Sequence, residues 1–233
     1  MNPSIAEEYK PYLYLDRGEL QMPVDFRDVI FKRNIVVPDS TITSVTQPHP
    51  SGKGVRIFYF MLFLRDDGVK VMRWTVDDHD WDIEMIIIDI DEKGIVSGVC
   101  YTPHGQENNF WIKHRDDLGR ILAEGKHPRV FISKGKHATM PVPLMRRWGG
   151  VANDVCRPPR TKLDLPIVEC PDSLWRPYTY RLGSVELSSI RQRVNFNYNK
   201  APAIRLADVK NFAIFPVATV LKQAKRSITR WFK

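Results

Sequence analysis

Val55-Arg-Ile-Phe-Tyr-Phe-Met-Leu-Phe-Leu64 is apolar at nine of its ten positions. A run without Gly or Pro, built from Phe, Tyr, Ile and Val, predicts a β-strand. Strand side chains alternate faces, so a strand apolar on both faces belongs at the centre of a sheet covered on both sides. Asp66-Asp-Gly68 turns the chain, and Val69 to Trp74 forms a short strand or loop arm. Trp81 to Ile90 is the next strand, closed by the turn Asp91-Glu-Lys-Gly94. Ile95 to Thr102 then pairs with it as a hairpin, because the connection is short and contains Gly.

Weaker signals extend outward from this centre. Residues 9–15 read as a short strand, 116–124 as a short amphipathic helix and 127–134 as a further strand. Val24 to Phe31 reads as a short helix. The Pro-, Ser-, Thr- and Gly-rich stretch from Val37 to Lys53 reads as a loop, and residues 135–180 as irregular, functional loop. The fold class expected is mainly β: an antiparallel β-sandwich with peripheral short helices, over residues 1–200.

Residues 201–233 are expected to form a basic arm. From Pro171 onward there are 12 Lys and Arg against 3 acids, a net of +9, whereas residues 1–170 hold 23 bases and 24 acids, a net of −1. Val217, Val220, Leu221, Ala224, Ile228 and Phe232 recur at helical spacing. Lys222, Lys225, Arg226, Arg230 and Lys233 occupy the opposite face. Such a helix docks on its own domain, on a protein partner in a larger assembly, or on an anionic membrane surface. Arg146-Arg147-Trp148 would offer nucleic acid a basic-aromatic surface, but no nucleic-acid-binding motif accompanies it, and a Trp anchoring a long loop is the preferred reading.

The chemistry concentrates in Thr75-Val-Asp-Asp-His-Asp-Trp-Asp-Ile-Glu-Met-Ile-Ile-Ile-Asp-Ile90. In an extended strand Asp80, Asp82 and Glu84 share one face, with Trp81, Ile83 and Met85 on the other. Carboxylates at that spacing repel, and burial raises the cost. A hard cation such as Ca2+ or Mg2+ relieves both, since these ions take oxygen ligands; solvation at a strand edge is the alternative. The candidate metal ligands on that face are therefore Asp80, Asp82 and Glu84. His104 and His137 follow strands and would converge with them at one end of the sandwich, with Trp81 filling the core beneath. His127, ahead of Pro128, starts a strand. Gly52-Lys-Gly54 and Gly135-Lys136 lack a full phosphate-loop pattern and read as turns.

Several classes are disfavoured. No stretch has the roughly 18–20 apolar residues of a membrane-spanning helix. The first ten residues carry no basic leader followed by an apolar core, so secretion is not expected. Cys100, Cys156 and Cys170 form no Cys-x-x-Cys pair, which points to reduced thiols in a cytosol-like compartment. Neither a Gly-x-Ser-x-Gly element nor a thiol–imidazole pair is seen.

In order, the pieces resemble the vacuolar protein sorting-associated protein 62 family. Tyr12-Leu-Tyr-Leu-Asp-Arg-Gly-Glu-Leu-Gln-Met-Pro23 is similar to its strand, charged turn and proline motif. His79-Asp-Trp-Asp82 resembles its His/Gly-Asp-Trp-Glu signature, Tyr101-Thr-Pro-His-Gly105 its Ser-x-His-Gly element, and His127-Pro-Arg-Val-Phe-Ile-Ser-Lys-Gly-Lys-His-Ala138 its His-Pro-x-Val-Tyr-Val-x-x-Gly-Ser-His-Ala run. The resemblance spans residues 10–185. The same core occurs in necrosis-inducing toxins of plant pathogens, which are β-sandwiches with a divalent cation. It implies Asp80 and Asp82 as direct or water-bridged ligands, with Asp77 or His79 behind them. Asp82 stands where the motif has Glu, and Glu84 lies on the same face to compensate. Three roles follow: a non-enzymatic binding or assembly subunit, a viral particle included; a metal-dependent hydrolase using Asp80, Asp82, His104 and His137; or a membrane-acting, toxin-like protein.

Overall fold

The computed structural model describes residues 4–25, 40–71, 74–76, 79–103, 109–143, 145–148, 152–157, 162–170, 180–182, 185–187 and 190–211. For residues 69–80, 145–155, 180–187 and 210–211 within these ranges, it describes the backbone alone. Six strands form the larger sheet, in the order Ile167–Glu169, Ile42–Pro48, Val55–Asp66, His79–Ile90, Val96–Tyr101 and Phe110–Ile112. A smaller sheet joins Tyr12–Leu15, His127–Ile132 and Thr139–Met140, with Leu122–Ala123 pairing the start of His127–Ile132. The two sheets make a β-sandwich.

Val55–Asp66 and His79–Ile90 are the central pair, in register from Val55 opposite Ile90 to Asp66 opposite His79. Their alternation explains the layers. Ile57, Tyr59, Met61 and Phe63 join Ile86, Ile88 and Ile90 on the face toward the smaller sheet, where Leu13, Val130, Ile132 and Met140 meet them in one core. Phe58, Phe60, Leu62, Ile83, Met85 and Ile87 point the other way. Val24, Ile190, Val194 and Tyr198 cover that second face. The central strand is thus buried on both sides, as its composition predicts.

One expectation is overturned. Within the stretch read as a loop, Ile42–Pro48 is a strand, antiparallel to Val55–Phe60 and flanked on its other edge by Ile167–Glu169 in parallel. Ile42, Thr43 and Ser44 are buried. Its β-branched Ile, Thr and Val residues suit a pleated surface, and tertiary pairing outweighs the Pro, Ser and Gly around it. Ile167–Glu169 likewise adds a regular element inside the 135–180 stretch. The helix read at Val24 to Phe31 falls largely outside the described residues; Val24 itself bridges Leu62, its N–H donating to Leu62 O at 2.8 Å.

Beyond the sheets, helix Arg115–Ile121 buries Leu118 and Ile121. Residues 203–209 pack on the sandwich as well: Leu206 and Val209 join the main core, and the Ile204 N–H donates to Trp111 O at 2.9 Å. Arg205 Nε donates to Asp117 Oδ2 at 2.6 Å.

Asp16 closes the first strand. The Arg157 guanidinium and N–H and the Gly18 N–H converge on its buried carboxylate, at 2.6–3.2 Å. Burial works to raise this carboxyl, but the Arg157 and Gly18 donors outweigh it and hold it below the usual range. A depressed carboxyl stabilises the fold above its unfolded pKa, and that stability drains away as pH falls through the folded value. In acid titrations followed by circular dichroism, Asp16→Asn should therefore lose stability relative to the parent at neutral pH. The gap should close below about pH 4; a gap independent of pH would contradict this.

Candidate functional site

Asp82 and Glu84 stand opposite Phe63 and Met61, so both carboxylates point into the sandwich at one end of the central strands. Ile83 and Met85 turn to the second core, and Trp81 packs against it too. The predicted segregation of acids from apolar residues along this strand is what the chain adopts between residues 81 and 85. Trp81 has φ +67°, and the Leu64–Trp81 pair drops out of the ladder while its neighbours Phe63–Asp82 and Arg65–Asp80 remain. A left-handed backbone is an outlier for so bulky a residue, and it lies at the centre of the acidic motif.

The smaller sheet supplies the counter-charge. After His127–Ile132 the chain turns through residues 133–138, pinned by Ser133 N–H to Ala138 O at 3.1 Å and Ala138 N–H to Ser133 Oγ at 2.9 Å. Gly135 and His137 both take positive φ, +69° and +50°. This turn drives the His137 ring inward, where it is wholly buried and stacks on Phe63 at 3.9 Å with planes 1° apart. His137 Nδ1 lies 3.1 Å from Asp82 Oδ2; a carboxylate only accepts, so Nδ1 carries the proton in this contact. His137 Nε2 is buried without a hydrogen bond and faces Glu19 Oε2 at 3.7 Å.

Glu19 is fixed in turn by the Leu20, Gln21 and Gly135 N–H groups at 2.8, 2.8 and 2.6 Å. Beside His137, Lys136 donates to the buried Asp66 at 2.8 Å, and the Gly68 N–H to its other oxygen at 2.7 Å. Burial holds the Asp66 carboxyl above the usual range against the pull of Lys136, and the negative Asp82 adds to the rise. From the second face, Arg193 donates to Ile83 O at 3.2 Å. Burial works against its charge, which Tyr198, Asp82 and Glu84 sustain.

Asp82 of the motif therefore meets the His137 ring, Arg193 lies in the field of Asp82 and Glu84, and Lys136 answers the neighbouring Asp66. Of the residues singled out from sequence, the structure brings Asp82, Glu84 and His137 to one end of the sandwich. His79 and Asp80 are placed by their backbone next to them, at Asp66 and Arg65 of the neighbouring strand. Asp77, His104, Lys222, Lys225, Arg226, Arg230 and Lys233 lie outside the described residues. Sequence reasoning missed Glu19, Asp66, Lys136 and Arg193. Gly135-Lys136 and Asp66-Asp-Gly68 were visible only as turns, and Arg193 only as part of a basic tail.

Among the described residues, no three His, Cys, Asp or Glu side chains converge closely enough to hold a metal ion. Asp82 and Glu84 are oxygen donors of the type Ca2+ and Mg2+ prefer, so a cation here needs Asp80 as a further donor. Thiol chemistry is not offered nearby: Cys100 is buried with its thiol driven far up by burial, and burial with the Asp16 charge pushes Cys156 up to about 12. His127 begins its strand and stacks on Tyr12 at 4.4 Å, away from this end.

No family model matches the chain, and no curated protein matches it, so the resemblance to the vacuolar protein sorting 62 family stands on its motifs alone. Among solved structures, the chain is similar to one described as a toxin fold for microbial attack and plant defense. The two are 12% identical at a TM-score of 0.49, over 79% of this chain and 82% of that one. NLPPya in complex with mannosamine gives 12% identity and a TM-score of 0.45, over 78% and 81%. Necrosis and Ethylene inducing Protein 2 from the causal agent of cocoa's Witches Broom disease gives 15% and 0.39, over 56% and 61%.

Proposed function

We propose that the acidic end of the sandwich is a binding site and not a hydrolytic centre. A hard divalent cation, Ca2+ or Mg2+, sits there on Asp80, Asp82 and Glu84. The basic arm, through Lys222, Lys225, Arg226, Arg230 and Lys233, attaches the domain to a larger protein assembly or an anionic surface. The observation that supports a binding role is the state of His137. Its ring is wholly buried, stacked on Phe63 and spent on Asp82. A general base must come within hydrogen-bond reach of a substrate proton, and this imidazole instead orients a carboxylate. Metal-ligating carboxylates are themselves hydrogen-bonded from behind, and His137 is placed to give Asp82 that support. The +9 balance after Pro171 supports an anionic partner for the arm.

Calorimetric titration of the full chain with Ca2+, Mg2+, Mn2+ and Zn2+ tests this reading. Ca2+ or Mg2+ should bind, and Asp82→Asn should abolish the heat. Removing residues 217–233 should leave that isotherm unchanged while ending retention on anionic vesicles at low salt. Tight Zn2+ or Mn2+ binding abolished by His137→Ala would instead favour the hydrolase, because imidazole suits those metals.

A further inference from the structure

At the far end of His79–Ile90 from the acidic site, on the opposite face, lies a second constellation that the binding reading does not use. Asp89 is seven residues from Asp82, about 23 Å along an extended strand. Its side chain is 3% exposed and accepts Arg56 Nε at 2.6 Å and Arg56 Nη2 at 2.8 Å. Arg56 Nη2 also donates to Asn199 Oδ1 at 3.1 Å, and the guanidinium lies 5.1 Å above the Trp111 ring. His49 Nε2 reaches the same carboxylate, 3.2 Å from Asp89 Oδ2. On its other side, His49 Nδ1 lies 2.7 Å from Ser51 Oγ and 3.1 Å from the Ser51 N–H. Ser51 is exposed at the tip of the turn, which Gly52 N–H to His49 O at 2.8 Å and His49 N–H to Gly54 O at 3.1 Å hold shut.

These contacts select one tautomer. The Ser51 N–H can only donate, so Nδ1 presents its lone pair and the neutral ring carries its proton on Nε2, the nitrogen that faces Asp89. The Ser51 hydroxyl then donates to Nδ1. A hydroxyl on an imidazole base, with that base oriented by a buried carboxylate, is the arrangement that activates a serine nucleophile. The geometry points to Ser51 as a nucleophile, with His49 as its base and Asp89 as the group that positions the base, able to take the acyl group of small, activated esters. The open turn admits a small ester to the hydroxyl.

With p-nitrophenyl acetate, Ser51 Oγ attacks the acetyl carbon as its proton passes to His49 Nδ1. The C–O bond to the leaving group breaks, p-nitrophenolate departs with the electron pair, and the acetyl group stays on Oγ. Asp89 holds the imidazolium that forms. Turnover is slow, because the neighbouring N–H groups are already engaged and do not form an oxyanion hole: Gly52 donates to His49 O, and Lys53 to Ser51 Oγ at 3.4 Å. One acetyl group per chain accumulates.

The test is p-nitrophenyl acetate at a small excess over the full chain, following nitrophenolate release and locating the acetyl group by peptide mass spectrometry. Ser51 should be acetylated about a hundredfold faster than in His49→Gln, the low end of what a positioned base contributes. Ser51→Ala removes one exposed hydroxyl, so it keeps the fold while the burst and the label on that peptide disappear. Equal rates in the parent and His49→Gln, or an acetyl group on Lys53 and not Ser51, would overturn the assignment. Neither result bears on cation binding at the acidic end.

Discussion

Arg56→Met is expected to destabilise the fold by about 3–5 kcal/mol, the cost of leaving one member of a buried ion pair alone. Arg56 and Asp89 are a directly opposed cross-strand pair, with side chains 6% and 3% exposed and two short hydrogen bonds between them. Methionine keeps much of the arginine stem's volume, so the loss reports on charge and not on packing. With the guanidinium gone, the Asp89 carboxylate is left with the His49 contact at 3.2 Å. The double substitution Arg56→Met with Asp89→Leu removes both charges and should recover most of the stability, since an apolar pair of similar volume is often as stable as a buried ion pair. Urea unfolding of the parent, Arg56→Met, Asp89→Leu and the double variant measures this. A single substitution as mild as the double would mean that the pair is hydrated and contributes little.

His137→Ala is expected to cost about 2–5 kcal/mol, as other large-to-small core substitutions do. Three effects add. The Phe63 ring loses its stacked partner, Asp82 loses its hydrogen bond, and alanine enters a backbone at φ +50° that favours Gly or Asn. His137→Asn separates them. Asparagine tolerates left-handed φ and carries a hydrogen-bonding group, so it should lie between alanine and the parent in urea midpoint. If both variants melt with the parent, His137 is peripheral and does not organise the acidic end.

The reach of the sequence follows from where each signal resides. Val55–Asp66 was legible because its apolar residues fill both faces, and the hairpin of His79–Ile90 with Val96–Tyr101 because a short Gly-containing turn joins them. Ile42–Pro48 was not, since Thr, Ser, Gln and Pro hide the alternation and only pairing on both edges makes it a strand. The acids of residues 80–84 were legible as a local repulsion that needs an answer. That His137 comes to Asp82 follows from loops meeting at one end of a sandwich. The rest of the answer comes from far away in sequence: Glu19 from the first turn, Lys136 beside a glycine, Arg193 from a helix on the opposite face. No local pattern carries that information. Arg56 and Asp89 were each visible, but pairing them requires the register of two strands separated by residues 67–78, which no local pattern sets.

The most direct test is a crystal structure at high resolution of the full chain grown in millimolar Ca2+. An ion peak should lie on carboxylate oxygens of Asp82 and Glu84 at about 2.3–2.6 Å, with Asp80 completing the set and His137 still on Asp82. A map in which Asp82 and Glu84 carry no ion and are neutralised by protein cations alone would contradict cation binding there.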